Sequence, residues 1–391
     1  MKLVLICPDS LPCPPIRSGA IELLMARKSP YLAKLGFDVT VLSIQDPMLA
    51  NKETIHGVRY IRFPKKNYLE NVISYVQAES FPVIQVYNKP DWVLPIKQVC
   101  FHSRVVLSLH NQVFGSHLEQ SELEEIVQAV DHMVAVSQFL ADSIARRCPS
   151  AKAKITVLYT GDEPSIYTPH YTLQGQRIAL EMKKKLGIPA DYFVALFVGR
   201  LVPKKGCHLL ITAMKKVLQQ QPRTALVIVG SKWFGNFSEN GYVKMLREQA
   251  KPISEHIYFT SFLPVYELPD YYTMSDVLIC ASQWKEPLAR VQYEAMTAGI
   301  PIITTGRGGN TEIIKHGQNG IVISQYEHPD AFAESMLYMI KNRGKREMMG
   351  ITNRGLIENC FNFEQYALRI AEVYKRFDLS EGDTHSKVPA S

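Results

Sequence analysis

The chain has 391 residues, 46% apolar and 21% charged, a composition that excludes a disordered polymer and leaves enough apolar mass for two separate cores. Lysine and arginine number 44 against 37 acidic residues, a formal charge of +7. This mild excess suits anionic small molecules such as nucleotide phosphates; with no dense basic block and no zinc-finger, RRM or helix-turn-helix pattern, nucleic acid is excluded as the expected partner.

The first apolar run, residues 3–7, stops at Pro8-Asp9, too short for the core of a signal peptide, and reads as a buried first strand. Candidate strands follow at 39–43, 59–63, 83–87, 105–110, 133–136 and 155–159. Several are unbroken Val/Ile/Leu runs, as strands covered on both faces require. Helical spacing fills the intervals, for example at 118–130 and 138–147, and Ser137 reads as a helix N-cap rather than a nucleophile. Pro30 lies inside the first helical pattern and predicts a kink or an early break there. After the polar stretch 163–176 the alternation restarts, with strands at 193–198, 226–229, 257–260, 277–280, 302–304 and 321–323. Helices fall between them, including 207–218, 291–298 and 331–341. A last helix is expected over 363–377, followed by a flexible tail, 378–391.

Two consecutive βα series predict an α/β protein of two Rossmann-like, doubly wound parallel-sheet domains, 1–165 and 166–362. Such sheets bind ligands beyond the carboxyl ends of their strands, so two facing sheets would share one ligand in a central cleft. No apolar stretch approaches the roughly 18–20 residues of a membrane helix. Seven cysteines, an odd number without a Cys-x-x-Cys, suggest reduced, mostly buried thiols in a soluble, unprocessed cytoplasmic protein.

The strongest chemical feature is the run from Glu286 to Pro301, in which Glu286 and Glu294 are separated by seven residues. Glu286 belongs to a loop after a strand, and Glu294 to the first turn or so of the next helix, where the helix dipole favours its ionised form. A carboxylate accepts two hydroxyl donors at once, which suits a vicinal sugar diol. The backbone amides of Leu288, Ala289 and Arg290 at the helix entrance suit a phosphate or sugar oxygen. The plainer alternative is a pair of exposed glutamates near a helix start. A second feature is Gly199-Arg200 with Lys204-Lys205-Gly206 after residues 193–198: a guanidinium fork and a mobile ammonium could neutralise a diphosphate, or form a solvated basic turn. A third is the Gly19 turn in Pro14-Pro15-Ile16-Arg17-Ser18-Gly19-Ala20, which lacks the three spaced glycines of a dinucleotide fingerprint, so NAD and FAD are not supported. His110-Asn111 ends a buried strand, where the imidazole either faces a ligand or bonds local backbone. Gly230 opens Gly230-Ser231-Lys232-Trp233-Phe234-Gly235, whose aromatics could stack on a base or acceptor or simply pack, and Gly306 to Glu312 forms a turn into a helix. The absence of Asp-x-Asp, His-Glu-x-x-His and a Walker loop predicts no obligatory metal and no cofactor beyond the sugar donor itself.

In this order, Gly199-Arg200, Lys205-Gly206 and the Glu-x7-Glu motif followed by Ala295, Gly299 and Pro301 resemble family 4 retaining glycosyltransferases of the GT-B fold, over about residues 2–377. Gly230–Gly235, Glu286-Pro287-Leu288-Ala289-Arg290-Val291 and Ser108-Leu109-His110-Asn111 bring the chain nearest the spore coat protein SA branch. The resemblance implies an N-terminal acceptor-side domain, a C-terminal domain for a nucleotide-diphosphate sugar of UDP or GDP type, and a last helix that crosses back onto the first domain. It implies that Gly19 gives its amide to the donor phosphate, that Arg200 and Lys205 stabilise the leaving diphosphate, and that Glu286 binds sugar hydroxyls and Glu294 the ribose. His110 would contact the donor sugar, and the backbone near Phe262 the base. Retention would proceed by internal return through an oxocarbenium-like state, so that Glu286 need not form a covalent intermediate. The chain departs from the broad family at Leu288-Ala289, where Phe-Gly is usual, at Ser18-Gly19 for Gly-Gly, and at Asp162-Glu163 for Val-Asp. The function implied is transfer of a hexose to a spore coat protein, a glycan or a surface polysaccharide. The alternatives are a structural coat protein that keeps the fold without turnover, and a nucleotide-sugar epimerase or hydrolase.

Overall fold

The computed structural model describes residues 1–16, 19–115, 117–231, 241–261 and 263–382. The chain forms two compact units, one of Met1–Thr160 with Phe363–Ser391 and one of Gly161–Asn362. The seam after Thr160 lies ahead of the boundary expected at 165, because Asp162 already bridges to Asn362 within the second unit.

The first unit runs β1 (Lys2–Ile6), α1 (Ala20–Lys34), β2 (Asp38–Ile44), β3 (Lys52–Ile55), β4 (Val58–Phe63), α2 (Tyr68–Glu79), β5 (Val83–Tyr87), α3 (Val93–Val99), β6 (Arg104–Leu109), α4 (Gln120–Ala129), β7 (His132–Ala135), α5 (Gln138–Arg147) and β8 (Ile155–Val157). Its sheet has the order β3-β4-β2-β1-β5-β6-β7-β8, parallel except for the β3–β4 pair. β1, β2 and β5 are buried along nearly their whole length, as double coverage requires, and are mainly apolar, with Thr40, Ser43 and Gln85 buried among the apolar residues. β3 escapes that pattern. Its Lys-Glu-Thr-Ile sequence alternates exposed and half-buried positions at the sheet edge, and it joins β4 through His56-Gly57, both at positive φ in a tight hairpin.

The second unit runs α6 (Leu173–Leu186), β9 (Phe193–Val198), α7 (Cys207–Gln220), β10 (Thr224–Val229), α8 (Gly241–Ala250), β11 (Ile257–Ser261), α9 (Leu268–Met274), β12 (Val277–Cys280), α10 (Arg290–Thr297), β13 (Ile302–Thr305), α11 (Asn310–Ile313), β14 (Gly320–Ile323), α12 (Pro329–Lys341) and α13 (Arg343–Asn359). Its all-parallel sheet has the order β11-β10-β9-β12-β13-β14. In each sheet the strand order reverses beside the first strand, at β1/β5 and at β9/β12. Chains leaving these strands diverge and open a crevice at their carboxyl ends. Gly19 follows β1, Arg200 follows β9 and Glu286 follows β12.

Of the kink or early break expected at Pro30, the break is absent: α1 continues to Lys34. One backbone donor is lost, but Ser29 Oγ donates to the Met25 carbonyl at 2.6 Å and the buried face formed by Leu24, Met25, Lys28 and Leu32 holds the segment in place. The last helix, α14 (Phe363–Gly382), runs past the end expected at 377. Its Phe363, Tyr366, Ala367, Ile370, Val373 and Tyr374 belong to the core of the first unit. All seven cysteines are free thiols, and Ser137 caps α5 by accepting from the Leu140 amide at 3.2 Å. No helix among the described residues is long and apolar enough to cross a membrane.

Candidate active site

Both carboxylates of the Glu-x7-Glu motif are buried, Glu286 at 7% exposure and Glu294 at 8%, which removes the alternative of two solvated glutamates. Glu286 lies in the loop between β12 and α10 and is held from three directions. Lys205 donates to Oε1 at 2.5 Å, while Ser282 Oγ and Trp284 Nε1 donate to Oε2 at 2.5 and 3.1 Å. Lys205 comes from the turn after β9, so the pair ties together the two loops that flank the second unit's crevice. Gly309 donates its amide to the Glu286 carbonyl at 2.8 Å. At Gly308, with φ +65°, a Cβ would stand 1.9 Å from that same carbonyl oxygen, so the close approach of the two loops requires glycine. Thus the Gly306-to-Glu312 turn supports the Glu286 loop from behind.

Glu294 lies one turn into α10, beyond the first turn, and the environment corrects the helix-dipole expectation. Burial pushes its carboxyl up, against Arg290 and the Tyr272 hydroxyl, which favour the carboxylate. Tyr272 donates to Oε2 at 2.5 Å, and Arg290 approaches Oε1 at 3.3 Å. The Arg290 guanidinium also donates to Asp162 Oδ2 at 2.8 Å and to the Gly161 carbonyl at 3.1 Å. Arg290 therefore contributes a half-buried side chain as well as a helix-entrance position. The amide of Ala289 is not available for a ligand as expected: it donates to Asn310 Oδ1 at 3.1 Å. Leu288 stands beside it, half-buried, in the same loop.

Arg200 lies two residues beyond β9 and is half-buried; burial first, then the charges of Arg200 and Lys205, lower the Lys204 pKa. Lys204 lies over the Trp284 ring at 4.5 Å. Gly230 follows β10, its α-carbon packed against the Gly199 carbonyl where a Cβ would stand 1.9 Å away. Three cations, Glu286 and Trp284 thus converge at the carboxyl ends of β9 and β12. Phe262 lies outside the described residues, as do Arg17, Ser18 and the segment from Lys232 to Gly235.

In the first unit, Gly19 is the N-cap of α1 at φ 146°. Glu22 folds over it, and a Cβ on Gly19 would stand 2.3 Å from Glu22 Oε2. Burial pushes the Glu22 carboxyl up to about 7. A phosphate at this helix end would meet a group divided near neutrality between acid and carboxylate. His110 follows β6. Its backbone amide donates to Asn88 Oδ1 at 2.7 Å, its ring stacks on Tyr87 at 5.7 Å, and its buried Nε2 has no partner among the described residues. Burial, aided by the charge of Lys28, lowers its pKa to about 3, so the imidazole is neutral.

Residues 21–165 match the sequence profile of Glycosyltransferase Family 4, and residues 179–355 match that of Glycosyl transferases group 1. YtcC of Bacillus subtilis (strain 168), which bears a glycosyltransferase name, is 42% identical over 96% of this chain and 92% of its own. The chain belongs to the family 4 glycosyltransferases. Spore coat protein SA of the same organism is 39% identical over 96% of this glycosyltransferase and 100% of that protein. Among solved structures, Anabaena Alr3699/HepE in complex with UDP-glucose has a TM-score of 0.76 at 22% identity, covering 96% of this chain and all of that one. That likeness shows a shared fold, GT-B, with its two parallel-sheet α/β domains.

In this glycosyltransferase, the sequence motif marks Glu286 and Glu294 but not the groups that hold them. Ser282 and Trp284 precede Glu286 in an irregular loop, where no periodicity assigns direction; Tyr272 reaches Glu294 from a distant position, and Asp162 reaches Glu294's partner, Arg290. The chemical capacity of the second unit's site is to present a fixed, buried carboxylate next to cations, an arrangement fitted to a neutral polyol joined to an anion.

Proposed function

We propose that this glycosyltransferase moves a hexose from a nucleotide-diphosphate sugar, of UDP or GDP type, to a spore coat or cell-surface acceptor with retention of anomeric configuration and without an obligatory metal. The observation that carries the reading is the Lys205–Glu286 pair at 2.5 Å, with Arg200 alongside. Glu286 offers an acceptor for sugar hydroxyls, and the cations offer charge to the departing diphosphate, the part a divalent ion plays elsewhere. Glu294, fixed by Arg290 and Tyr272, would take the ribose hydroxyls, and the backbone around Phe262 and Gly230 would flank the base. In the first unit, Gly19 and the neutral imidazole of His110 would offer groups for a phosphate and a sugar hydroxyl. UDP-glucose in the HepE complex and GDP-mannose in the name of a 25% identical mycobacterial mannosyltransferase support a nucleotide sugar and leave the base open. The name of spore coat protein SA supports an acceptor at the spore surface, with the enzyme in the cytoplasm or deposited on the coat.

The same name favours a second reading, a coat protein that keeps the fold without turnover. One experiment separates the two. Chelator-treated protein is melted with UDP, GDP, ADP and their hexose conjugates. A ligand at 100 times its dissociation constant adds about 2.7 kcal/mol, a rise of several degrees for domains of this size. A rise with one base, lost in Arg200→Ala, together with transfer whose product keeps the donor's anomeric configuration by NMR, is the expected result. No rise with any nucleotide at millimolar concentration leaves the coat reading in possession.

A further inference from the structure

The most anomalous group outside the proposed donor contacts is Lys28. It lies on α1 at 0% exposure, and among the described residues no carboxylate pairs with it. Its ammonium donates to the Tyr87 hydroxyl and, at 3.3 Å, to Gln85 Oε1. The Tyr87 and Tyr366 rings lie 5.0 and 5.6 Å away. Burying an ammonium among neutral partners is costly, and burial lowers its pKa to about 7. A methionine of similar length would fill the space without that cost, so the charge or its hydrogen bonds have a use.

Tyr87 shows where the use lies. Its hydroxyl is fixed by Lys28 and donates to Gln85 Oε1 at 2.8 Å, while its ring is the platform on which His110 stacks at 21°. Gln85 in turn donates to Ser108 at 2.5 Å and accepts from Tyr374 of α14. The charged or titratable groups around the Lys28–His110 pair are Cys7 of β1, Tyr87 of β5, and Tyr366 and Tyr374 of α14. Lys28 is the cation among them.

We propose that Lys28 is a positioning residue for His110, acting through Tyr87 to hold the imidazole ring and its free Nε2 in one orientation. The positive charge at the Tyr87 hydroxyl also opposes a proton on His110. α14 closes the cluster, so the end of the chain stabilises the imidazole platform.

The inference rests on His110 belonging to the transfer site proposed above, and the test keeps the two apart. In full-length Lys28→Met, Gln85, Tyr87, Ser108 and Tyr374 keep their mutual hydrogen bonds. The expected result is a fall in kcat of about tenfold with unchanged KM for the donor. In the His110→Asn background, Lys28→Met then costs nothing further, because the route through His110 is already gone. The His110 ring nitrogen signals in NMR move or broaden in Lys28→Met, and Tyr87→Phe reproduces this if Lys28→Met does not fold. Equal losses in both backgrounds, or unchanged ring signals in a folded variant, would overturn the proposal. If the wild type turns over no donor, the transfer reading fails, while the ring signals still decide whether Lys28 orders His110.

Discussion

At the residue scale, the carboxylate of Glu286 carries the most specific chemistry. Its Oε2 accepts two donors, Ser282 and Trp284, leaving Oε1, with Lys205, as the oxygen able to accept a further hydroxyl. The expectation of a vicinal diol bound across both oxygens therefore narrows to a single hydroxyl at one. Glu286→Gln keeps the shape and removes the charge opposite Lys205. Transfer is expected to fall by about 10²–10³-fold, as for loss of one preorganised electrostatic contact, while nucleotide-induced stabilisation persists. Steady-state turnover together with melting in the presence of the nucleoside diphosphate reads both.

Two buried groups of the first unit give opposite pH signatures. Glu22 rises from 4.5 to about 7 in the fold, so it binds its proton more tightly when folded; that stability is complete below pH 4.5 and is lost as pH rises through 7. His110 drops from 6.5 to about 3, so the folded state resists its proton; that stability is present above pH 6.5 and is lost as pH falls toward 3. Melting temperatures measured across pH should flatten between 4.5 and 7 in Glu22→Gln and below 6.5 in His110→Asn. An unchanged profile in either variant contradicts the assigned burial. Neither shift was legible in the sequence. His110 reads there as a strand-end imidazole and nothing singles out Glu22; the covering side chains come from elsewhere in the unit.

At the scale of elements, β9 is readable because it is an unbroken apolar run and β5 because Gln85 alone interrupts one, and their residue ranges follow from the pattern. β3 was not, because an edge strand buries half its surface at most, and Lys52 and Glu53 are as suitable there as in a loop. α1 misled through Pro30, where local propensity yields to the packing of a buried face. Two glycines separate conformation from close approach. At Gly57, with φ +79°, an added Cβ meets only Ala33 at 3.6 Å, so Gly57→Ala should cost about 1 kcal/mol for the left-handed backbone alone. At Gly308 the same change adds the collision with the Glu286 carbonyl, so Gly308→Ala should cost more than Gly57→Ala and lower transfer as well. Denaturant melts and turnover distinguish them; equal stability losses with intact transfer in both would mean that the Gly308 turn does not hold the Glu286 loop.

At the scale of the whole molecule, the chain order and the unit order disagree. α14 follows the second unit in sequence yet belongs to the first, so the second unit is an insertion between the sheet and its last helix. The βα alternation revealed two sheets, but it could not say which one the final helix covers; that was supplied by family resemblance. The physical reason is visible in α14 itself. Phe363, Tyr366, Ile370 and Tyr374 form an apolar stripe at helical spacing, and such a stripe names no partner until the Tyr366 ring meets Lys28 and the Tyr374 hydroxyl meets Gln85. Ending the chain at Asn362 would uncover that stripe's partner surface and leave Lys28 and Gln85 without their covering rings. The loss of several fully buried aromatic and aliphatic side chains, each worth about 1.5–3 kcal/mol, is comparable to the whole stability of a domain. Calorimetry of the truncated chain should therefore show the first unit's transition lost or shifted far down, with the second unit's transition kept near its wild-type temperature and still raised by a nucleoside diphosphate. If both transitions fall together, α14 supports the second unit too, and the division at Thr160 and Phe363 does not describe how the protein unfolds.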